Sequence, residues 1–143
     1  MRSVRLHLGL TTMLHPRHFE VNEAWIAFQL NRAPICTEED GNFNVLALMD
    51  AASCFMLSAV MIPVRSCEAS ATAAKELLTA GSRHNGSLPS TLFIASGQPA
   101  SHVTSLAEKS GIAVVRVPES ELAVFIREAR EGFEEHVGGR RAQ

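Results

Sequence analysis

The sequence has few of the features that mark nucleic-acid or membrane binding. It has no tyrosine, a single tryptophan and no cluster of arginine and lysine interleaved with aromatic residues, so direct nucleic-acid binding is not supported. No apolar run approaches the ~20 residues of a membrane-spanning helix. The N-terminus lacks the apolar core of a secretory signal. The three cysteines have no disulfide-like or metal-like spacing, which favours free thiols and a cytoplasmic location.

The residues that are present indicate one folded domain. The chain has 143 residues, of which 46% are hydrophobic and 20% are charged, and a chain of this length can bury roughly 70% of its unfolded surface. The net charge is only −2, and the segment 119–137 holds most of the acidic excess. We predict an N-terminal arm at residues 1–22, a single domain at 23–137 and a flexible tail at 138–143.

The first half of the chain predicts β-structure. Asn44–Asp50 has the composition of a buried strand, and the short turn Ala51–Ser53 joins it to a second strand, Cys54–Pro63, so the two should form an antiparallel hairpin. The segment Glu23–Asn31 is ambiguous. Its alternating apolar residues suit a half-buried strand, but Trp25 and Phe28 could also share one face of a helix.

The second half predicts alternating helices and strands. Apolar residues recur at helical spacing between Ala69 and Leu78, and Gly81 stands where a left-handed C-terminal cap would fit. The segment 81–87 is then a polar loop. The remaining predicted elements are, in order, a buried strand Thr91–Ala95, a helix from Pro99 to Gly111, a strand Ile112–Val117 and a helix opening at Pro118.

Four segments resemble one known family. They are Met-Asp-Ala-Ala-Ser-Cys-Phe-Met-Leu-Ser (49–58), Ala-Thr-Ala-Ala-Lys-Glu-Leu-Leu (71–78), Ser-Leu-Pro-Ser-Thr-Leu-Phe-Ile-Ala-Ser-Gly-Gln-Pro (87–99) and Leu-Ala-Glu-Lys-Ser-Gly-Ile (106–112). In this order they resemble the catalytic core of retroviral-type integrases and transposases, within the ribonuclease-H-like superfamily, over about residues 23–135. If Glu23–Asn31 is a strand, the element order is β-β-β-α-β-α-β-α. The resemblance then implies an α/β fold with three antiparallel strands, further parallel strands and helices on both faces.

The resemblance also implies where a catalytic site would lie. Members of the family need three carboxylates to hold two divalent metal ions. The first would fall near Phe28, and the second would fall at Ala95, which Ser96 and Gly97 follow in place of Asn and Gly. The third would lie on the last helix, where Glu121, Glu128 and Glu131 are available. Because alanine cannot bind a metal, we expect no cofactor.

Two functions of different classes remain open. The first is a non-catalytic integrase-core-like domain that acts as an interaction or regulatory module, through a protein partner or self-association. The alternative is a metal-dependent phosphodiester-cleaving enzyme with a rearranged site, in which Asp50 acts with Glu119 or Glu121 and binds Mg²⁺ or Mn²⁺. The chain could also be part of a larger transposase-like protein.

Two further predictions concern the end of the Thr91–Ala95 strand. Ser96, Gly97 and Gln98 could present backbone N–H groups to an anion at a helix N-terminus, although an ordinary turn and cap is the favoured interpretation. If Glu23–Asn31 pairs with the 43–50 strand, the side chains of Phe28, Ala95 and Glu121 should converge on one vacant pocket.

Overall fold

The computed structural model describes residues 14–39 and 41–141, with side chains as far as His136. After a 3₁₀ turn at Pro16–His18, the elements are β1 (Ala24–Gln29), β2 (Ile35–Cys36), β3 (Asn42–Asp50), β4 (Met56–Pro63), α1 (Ala71–Asn85), β5 (Thr91–Ala95), α2 (Ser101–Lys109), β6 (Ala113–Val117) and α3 (Glu119–Arg141). None of the helices that the structure describes is long and apolar enough to cross a membrane.

The strands form one mixed sheet in the order β4-β3-β1-β5-β6. The ambiguous segment Glu23–Asn31 is a strand, because Ala24–Gln29 pairs antiparallel with β3 and parallel with β5. The two-residue β2 extends past the end of β1 along the same edge of β3, and β6 adds parallel to β5. The predicted order of three antiparallel strands followed by parallel strands and helices is therefore confirmed, with β2 as a short addition.

Two apolar clusters cover the two faces of the sheet. The first joins Trp25, Leu46 and Leu48 to α1 and α2. The second joins Phe28, Met49 and Phe93 to α3. Strands β1 and β5 contribute alternate residues to both clusters, since successive side chains of a strand point to opposite faces. That arrangement explains why five consecutive positions are buried in each of these strands.

The described part of the predicted arm packs on the second cluster. Leu14 is buried there, and the Phe19 ring lies 5.7 Å from that of Phe93 and 6.3 Å from that of Phe125. Residues 1–13 of the predicted arm lie outside the described residues. At the other end of the chain, α3 continues to Arg141, so the predicted tail is helical up to that residue.

The prediction that the first helix ends at Gly81 is wrong. The helix runs to Asn85, and Gly86 is the left-handed cap, with φ of +80°. Gly81 is inside the helix and buried, and a Cβ atom there would lie 2.8 Å from Leu48 and 3.1 Å from Trp25. This glycine serves close packing of α1 on the sheet, which a sequence reading cannot distinguish from a cap.

Two smaller boundaries also differ from the predictions. Strand β4 begins at Met56 rather than Cys54, because Cys54 belongs to the turn and has a left-handed φ of +60°. Helix α2 begins at Ser101 rather than Pro99. Proline at a first turn is a common pattern, but the loop after β5 here runs through Pro99 before the helix starts.

Candidate functional site

The carboxyl ends of β1 and β5 lie side by side, which is where open α/β sheets usually bind ligands. The register that pairs Ala27 with Ile94 puts Phe28 next to Ala95 on the neighbouring strand. Both side chains are buried, with exposed fractions of 1% and 6%. They belong to the same apolar cluster as Leu122 and Phe125 of α3. The expected vacant pocket at this point is filled with hydrocarbon side chains.

These residues do not fit the pair of divalent metal ions that the family resemblance implies. Divalent metals of this kind are held by oxygen ligands, and neither Phe28 nor Ala95 has one in its side chain. Over the ranges 14–39 and 41–141, no three His, Cys, Asp or Glu side chains are grouped so that they could hold a metal ion.

The side chain of Arg130 is hydrogen-bonded to the carboxyl end of β1. The guanidinium of Arg130 donates two hydrogen bonds to the backbone carbonyl of Gln29, at 3.0 and 2.8 Å. The same group forms an ion pair with Glu119 at 2.7 Å. Glu119, one of the predicted acids, is therefore engaged with Arg130, and Glu121 lies partly buried in the same first turn of α3.

The side chain of Arg116 is hydrogen-bonded to the carboxyl end of β5. Arg116 donates hydrogen bonds to the carbonyl oxygens of Ala95 and Gln98, at 2.8 and 2.5 Å. The structure brings the three predicted anion-binding residues, Ser96–Gln98, into the wall of an open groove of about 660 Å³. Arg116 lies in this wall too, so the turn is held by the protein's own side chain.

The helix N-terminus beside this groove already has an acceptor. Helix α2 starts at Ser101, and the carboxylate of Glu68 accepts hydrogen bonds from the Ser101 hydroxyl and from the His102 backbone N–H. These two bonds hold the pKa of Glu68 below its ordinary value. The carboxylate thus occupies one of the helix N-terminal N–H groups that an external anion would need, which supports the ordinary turn and cap.

Asp50 lies at the opposite end of β1 from Glu119. Trp25 pairs with Asp50, whereas Gln29, which Arg130 contacts, pairs with Leu46. Four residues of strand span roughly 13 Å. The structure therefore does not bring Asp50 together with Glu119, although the two were predicted as members of one rearranged site.

Asp50 instead joins three loops at the amino end of β1. Its buried carboxylate accepts hydrogen bonds from the Asn22 N–H at 2.6 Å and from the Ser53 N–H and hydroxyl at 2.9 and 2.8 Å. The Asn22 side chain accepts from Trp25 Nε1 and from Asn85. It also donates to Ser87 in the loop that follows α1. All these bonds are internal, so the group has a structural role.

Cys54 lies beside this network. Burial raises the pKa of its thiol, and the negative charges of Asp50 and Glu128 raise that pKa further. A thiol with a raised pKa is less often in the nucleophilic thiolate form, which disfavours a catalytic role for Cys54. The expectation that it sits in a strand is wrong, but it does pack against the second cluster.

The sequence did not identify the polar residues that bond to the two ends of the central strands β1 and β5. Asn22 adopts a left-handed φ of +67°, which asparagine tolerates better than most residues, and its Glu-Val-Asn-Glu context is a weak turn signal. Arg116 and Arg130 gave no signal, because arginines on a strand and on a helix usually face solvent. Their role depends on carbonyl groups more than 15 positions away in sequence.

Comparison with known proteins agrees with this topology. No protein-family model matches the chain, and no curated protein sequence is significantly similar to it. Among solved structures, a chain of the simian T-cell lymphotropic virus intasome in complex with PP2A regulatory subunit B56 gamma superposes with a TM-score of 0.55 and 14% identity. The superposition covers 80% of this chain and 39% of that chain.

The fold is of the ribonuclease-H-like, integrase-core type. A second structure, the HTLV-2 integrase catalytic core domain in complex with magnesium, gives a TM-score of 0.43 at 10% identity, over 76% of this chain and 82% of that one. At these identities the likeness concerns the fold alone. This integrase-core-like chain spans less than half the length of the intasome chain.

Proposed function

We propose that this integrase-core-like domain is non-catalytic and acts as an interaction or regulatory module. One observation carries the proposal. The two strand positions at which the family resemblance puts metal-binding acids hold Phe28 and Ala95, both buried in an apolar cluster. Burying a carboxylate or a cation in such surroundings costs several kcal/mol unless it is paired, which supports a domain without the metal chemistry of the family.

The charges around the cluster support the same proposal. Arg130 and Arg116 donate to backbone carbonyls at the ends of β1 and β5. Two guanidinium groups therefore stand at the ends of the strands whose acids would hold divalent cations. A fixed positive charge repels a divalent ion, and Glu119 is neutralised by its pairing with Arg130. The metal-dependent alternative needs Asp50 in one site with Glu119 or Glu121, but both glutamates lie in the first turn of α3, at the opposite end of β1 from Asp50.

A surface for protein contact is available at the amino end of the sheet. Val21, Phe55 and Leu88 are 68%, 52% and 40% exposed. They lie on the three loops that the Asn22–Asp50 network joins, and the Phe55 ring stacks on His84 at 4.7 Å. Exposed apolar groups on a rigid frame are typical of interaction surfaces. The intasome whose chain is similar to this one in fold was solved in complex with a protein regulatory subunit, which supports a protein partner.

We also propose a cellular compartment for the protein. Its three cysteines are free, which suits a reducing compartment such as the cytoplasm. We propose residues 23–137 as the single domain, on which the described part of the arm packs, without a metal cofactor and without a nucleic-acid surface of its own.

Metal titration tests the non-catalytic role. A divalent ion that binds only the folded state at about 100 times its dissociation constant raises the free energy of unfolding by about 2.7 kcal/mol. We expect the melting temperature of the full chain to stay constant on addition of Mn²⁺ or Mg²⁺, and a labelled DNA duplex to remain uncut. A rise in melting temperature that Glu119→Gln abolishes, together with cleavage of the duplex, would establish the metal-dependent enzyme instead.

Sedimentation tests the interaction surface. The double variant Val21→Ser/Leu88→Ser removes apolar area from the loops, and Val124→Ser, also exposed but on α3, is the matched control. Concentration-dependent association that the double variant weakens and the control retains supports self-association through these loops. A monomer at every concentration excludes self-association and leaves a different protein as the partner.

A further inference from the structure

Three arginine side chains meet where the loop after β1 contacts α3. Arg32 lies in this loop, and Arg127 and Arg130 lie on α3. All three line a small pocket of about 90 Å³. Arg32 and Arg130 also line an adjoining open pocket of about 480 Å³, whose walls include Gln29 and Gln98. The carboxyl edge of the sheet, where open α/β sheets usually bind ligands, is therefore lined by positive charge.

These arginines outnumber the carboxylates beside them. Glu119 is the carboxylate that lines both pockets, and Glu134 pairs with Arg32 from outside them. Three guanidinium groups thus face two carboxylates, a net charge of +1, on a chain whose overall charge is −2. Among the residues whose side chains the structure describes, no carboxylate lies within 4.0 Å of the Arg127 guanidinium. The local charge favours an anionic ligand.

The backbone of β1 holds the Arg130 side chain in place. Its guanidinium donates two hydrogen bonds to the Gln29 carbonyl, and the side chain is only 13% exposed. The remaining terminal nitrogen, Nη1, donates to the carboxylate of Glu119 at 2.7 Å. A guanidinium fixed in this way is a good donor for a carboxylate, because little side-chain freedom is lost when an acid binds to it.

The carboxylates that occupy two of the arginines are exposed. The side chains of Glu119 and Glu134 are 57% and 41% exposed. Ion pairs of exposed side chains contribute little to stability, so an external acid can replace either glutamate at small cost. Their contacts also show which chemistry the site accepts, because carboxylate oxygens lie 3.1 Å from Arg32 and 2.7 Å from Arg130.

We propose that an acidic segment of a partner protein binds across Arg32, Arg127 and Arg130. One of its carboxylates replaces Glu119 on Arg130, and a second pairs with Arg127. Glu119 acts as an internal competitor, so only a segment with several acidic side chains binds well. This site rests on the interaction role proposed above and adds to it the acidic character of the partner.

Fluorescence anisotropy of a labelled polyglutamate peptide, titrated with the full chain, tests this site. We expect saturable binding that Arg127→Gln weakens by about four-fold, the effect of one exposed ion pair. The control Arg83→Gln makes the same charge change at an exposed position of α1 and should leave the affinity unchanged. Because Glu119 competes with the peptide, Glu119→Gln should tighten binding by about three-fold. Glu121→Gln, in the same first turn of α3, should not.

Four results would overturn this site. Absence of peptide binding removes this surface alone, whereas metal-dependent cleavage of DNA by the chain removes the interaction role itself. Equal weakening by Arg127→Gln and Arg83→Gln would reduce the binding to general charge attraction. Equal tightening by Glu119→Gln and Glu121→Gln would show that Glu119 is no competitor. Tighter binding of a labelled single-stranded DNA than of the peptide would assign the arginines to phosphate groups.

Discussion

The two ends of β1 use polar groups in opposite ways. At the amino end, the buried carboxylate of Asp50 receives three hydrogen bonds and ties three loops together. At the carboxyl end, Phe28 and Ala95 fill the interior with hydrocarbon, and arginines satisfy the backbone carbonyls from outside.

This difference shows that a buried carboxylate does not by itself indicate a catalytic site. Among the described residues, three polar side chains are buried, and Asp50 is the acidic one. The hydrogen bonds of its carboxylate nevertheless all go to Asn22 and Ser53 of the same chain. At the carboxyl end of β1, by contrast, Phe28 and Ala95 are part of the apolar core. Variants at each end of β1 test this contrast.

The largest effect is expected at the carboxyl end, from Phe28→Ala. Removing a fully buried phenylalanine leaves a cavity, and the free energy of unfolding should fall by about 4 kcal/mol, measured by urea denaturation. Phe28→Leu, which retains most of the volume, should cost about 1 kcal/mol. A loss below about 1 kcal/mol for the alanine variant would mean that the position borders a vacancy, as a ligand site requires.

At the amino end, Asp50→Ala should lower the free energy of unfolding by about 3 kcal/mol, because it removes the buried carboxylate that accepts from the N–H groups of Asn22 and Ser53. Asp50→Asn keeps one acceptor oxygen and should lose less. Equal losses for the two variants in chemical denaturation would show that the network depends on charge rather than on hydrogen bonds.

Because α1 packs closely on the sheet near the amino end of β1, Gly81→Ala should lower the free energy of unfolding by about 1 kcal/mol. The added methyl group would press on Leu48 and Trp25, and the packing cost should exceed the gain in helix propensity. Gly132→Ala in α3, where a Cβ atom meets nothing within 4 Å, is the control and should stabilise by about 0.7 kcal/mol. Stabilisation by both changes in thermal denaturation would contradict the tight contact of α1 with the sheet.

The smallest effect is expected from Glu68→Gln beside the groove. This change should lower the free energy of unfolding by about 0.5 kcal/mol, because Glu68 is a partly exposed helix cap. Its pKa is lowered from 4.5 in the folded chain. The stabilisation is therefore present above pH 4.5 and is lost as the pH falls through the lower, folded value. Unfolding measured at neutral and acidic pH should show a difference between the two proteins that disappears in acid. Glu76→Gln, an exposed change on α1, should show no comparable difference.

Much of the fold could be predicted from local pattern. The hairpin, the buried strand Thr91–Ala95, the end of α2 near Gly111 and the start of α3 after Pro118 were all visible, because hydrophobic period and turn residues act over a few positions. The segment Glu23–Asn31 could not be assigned alone. A strand that is buried on both faces loses its alternation, and only its pairing with β3 and β5 decided it.

The candidate site was predictable only in part. The apolar identity of Phe28 and Ala95 was clear from the resemblance, but the positions of the acids were not. Asp50 was grouped with Glu119 although β1 separates them, since sequence order says nothing about which end of a strand a residue reaches. Gly81 was taken for a cap because a glycine needed for close contact and one needed for a left-handed φ look alike in a sequence.

The element order and the chemical character of the central strands follow from the sequence alone, because propensity and hydrophobic period are properties of neighbouring residues. The bonds of Arg116 and Arg130 to the strand ends, the capping of α2 by Glu68 and the joining of three loops by Asp50 became visible only in the folded chain. Those roles depend on hydrogen bonds between residues distant in sequence, and such bonds exist only once the sheet has brought their partners together.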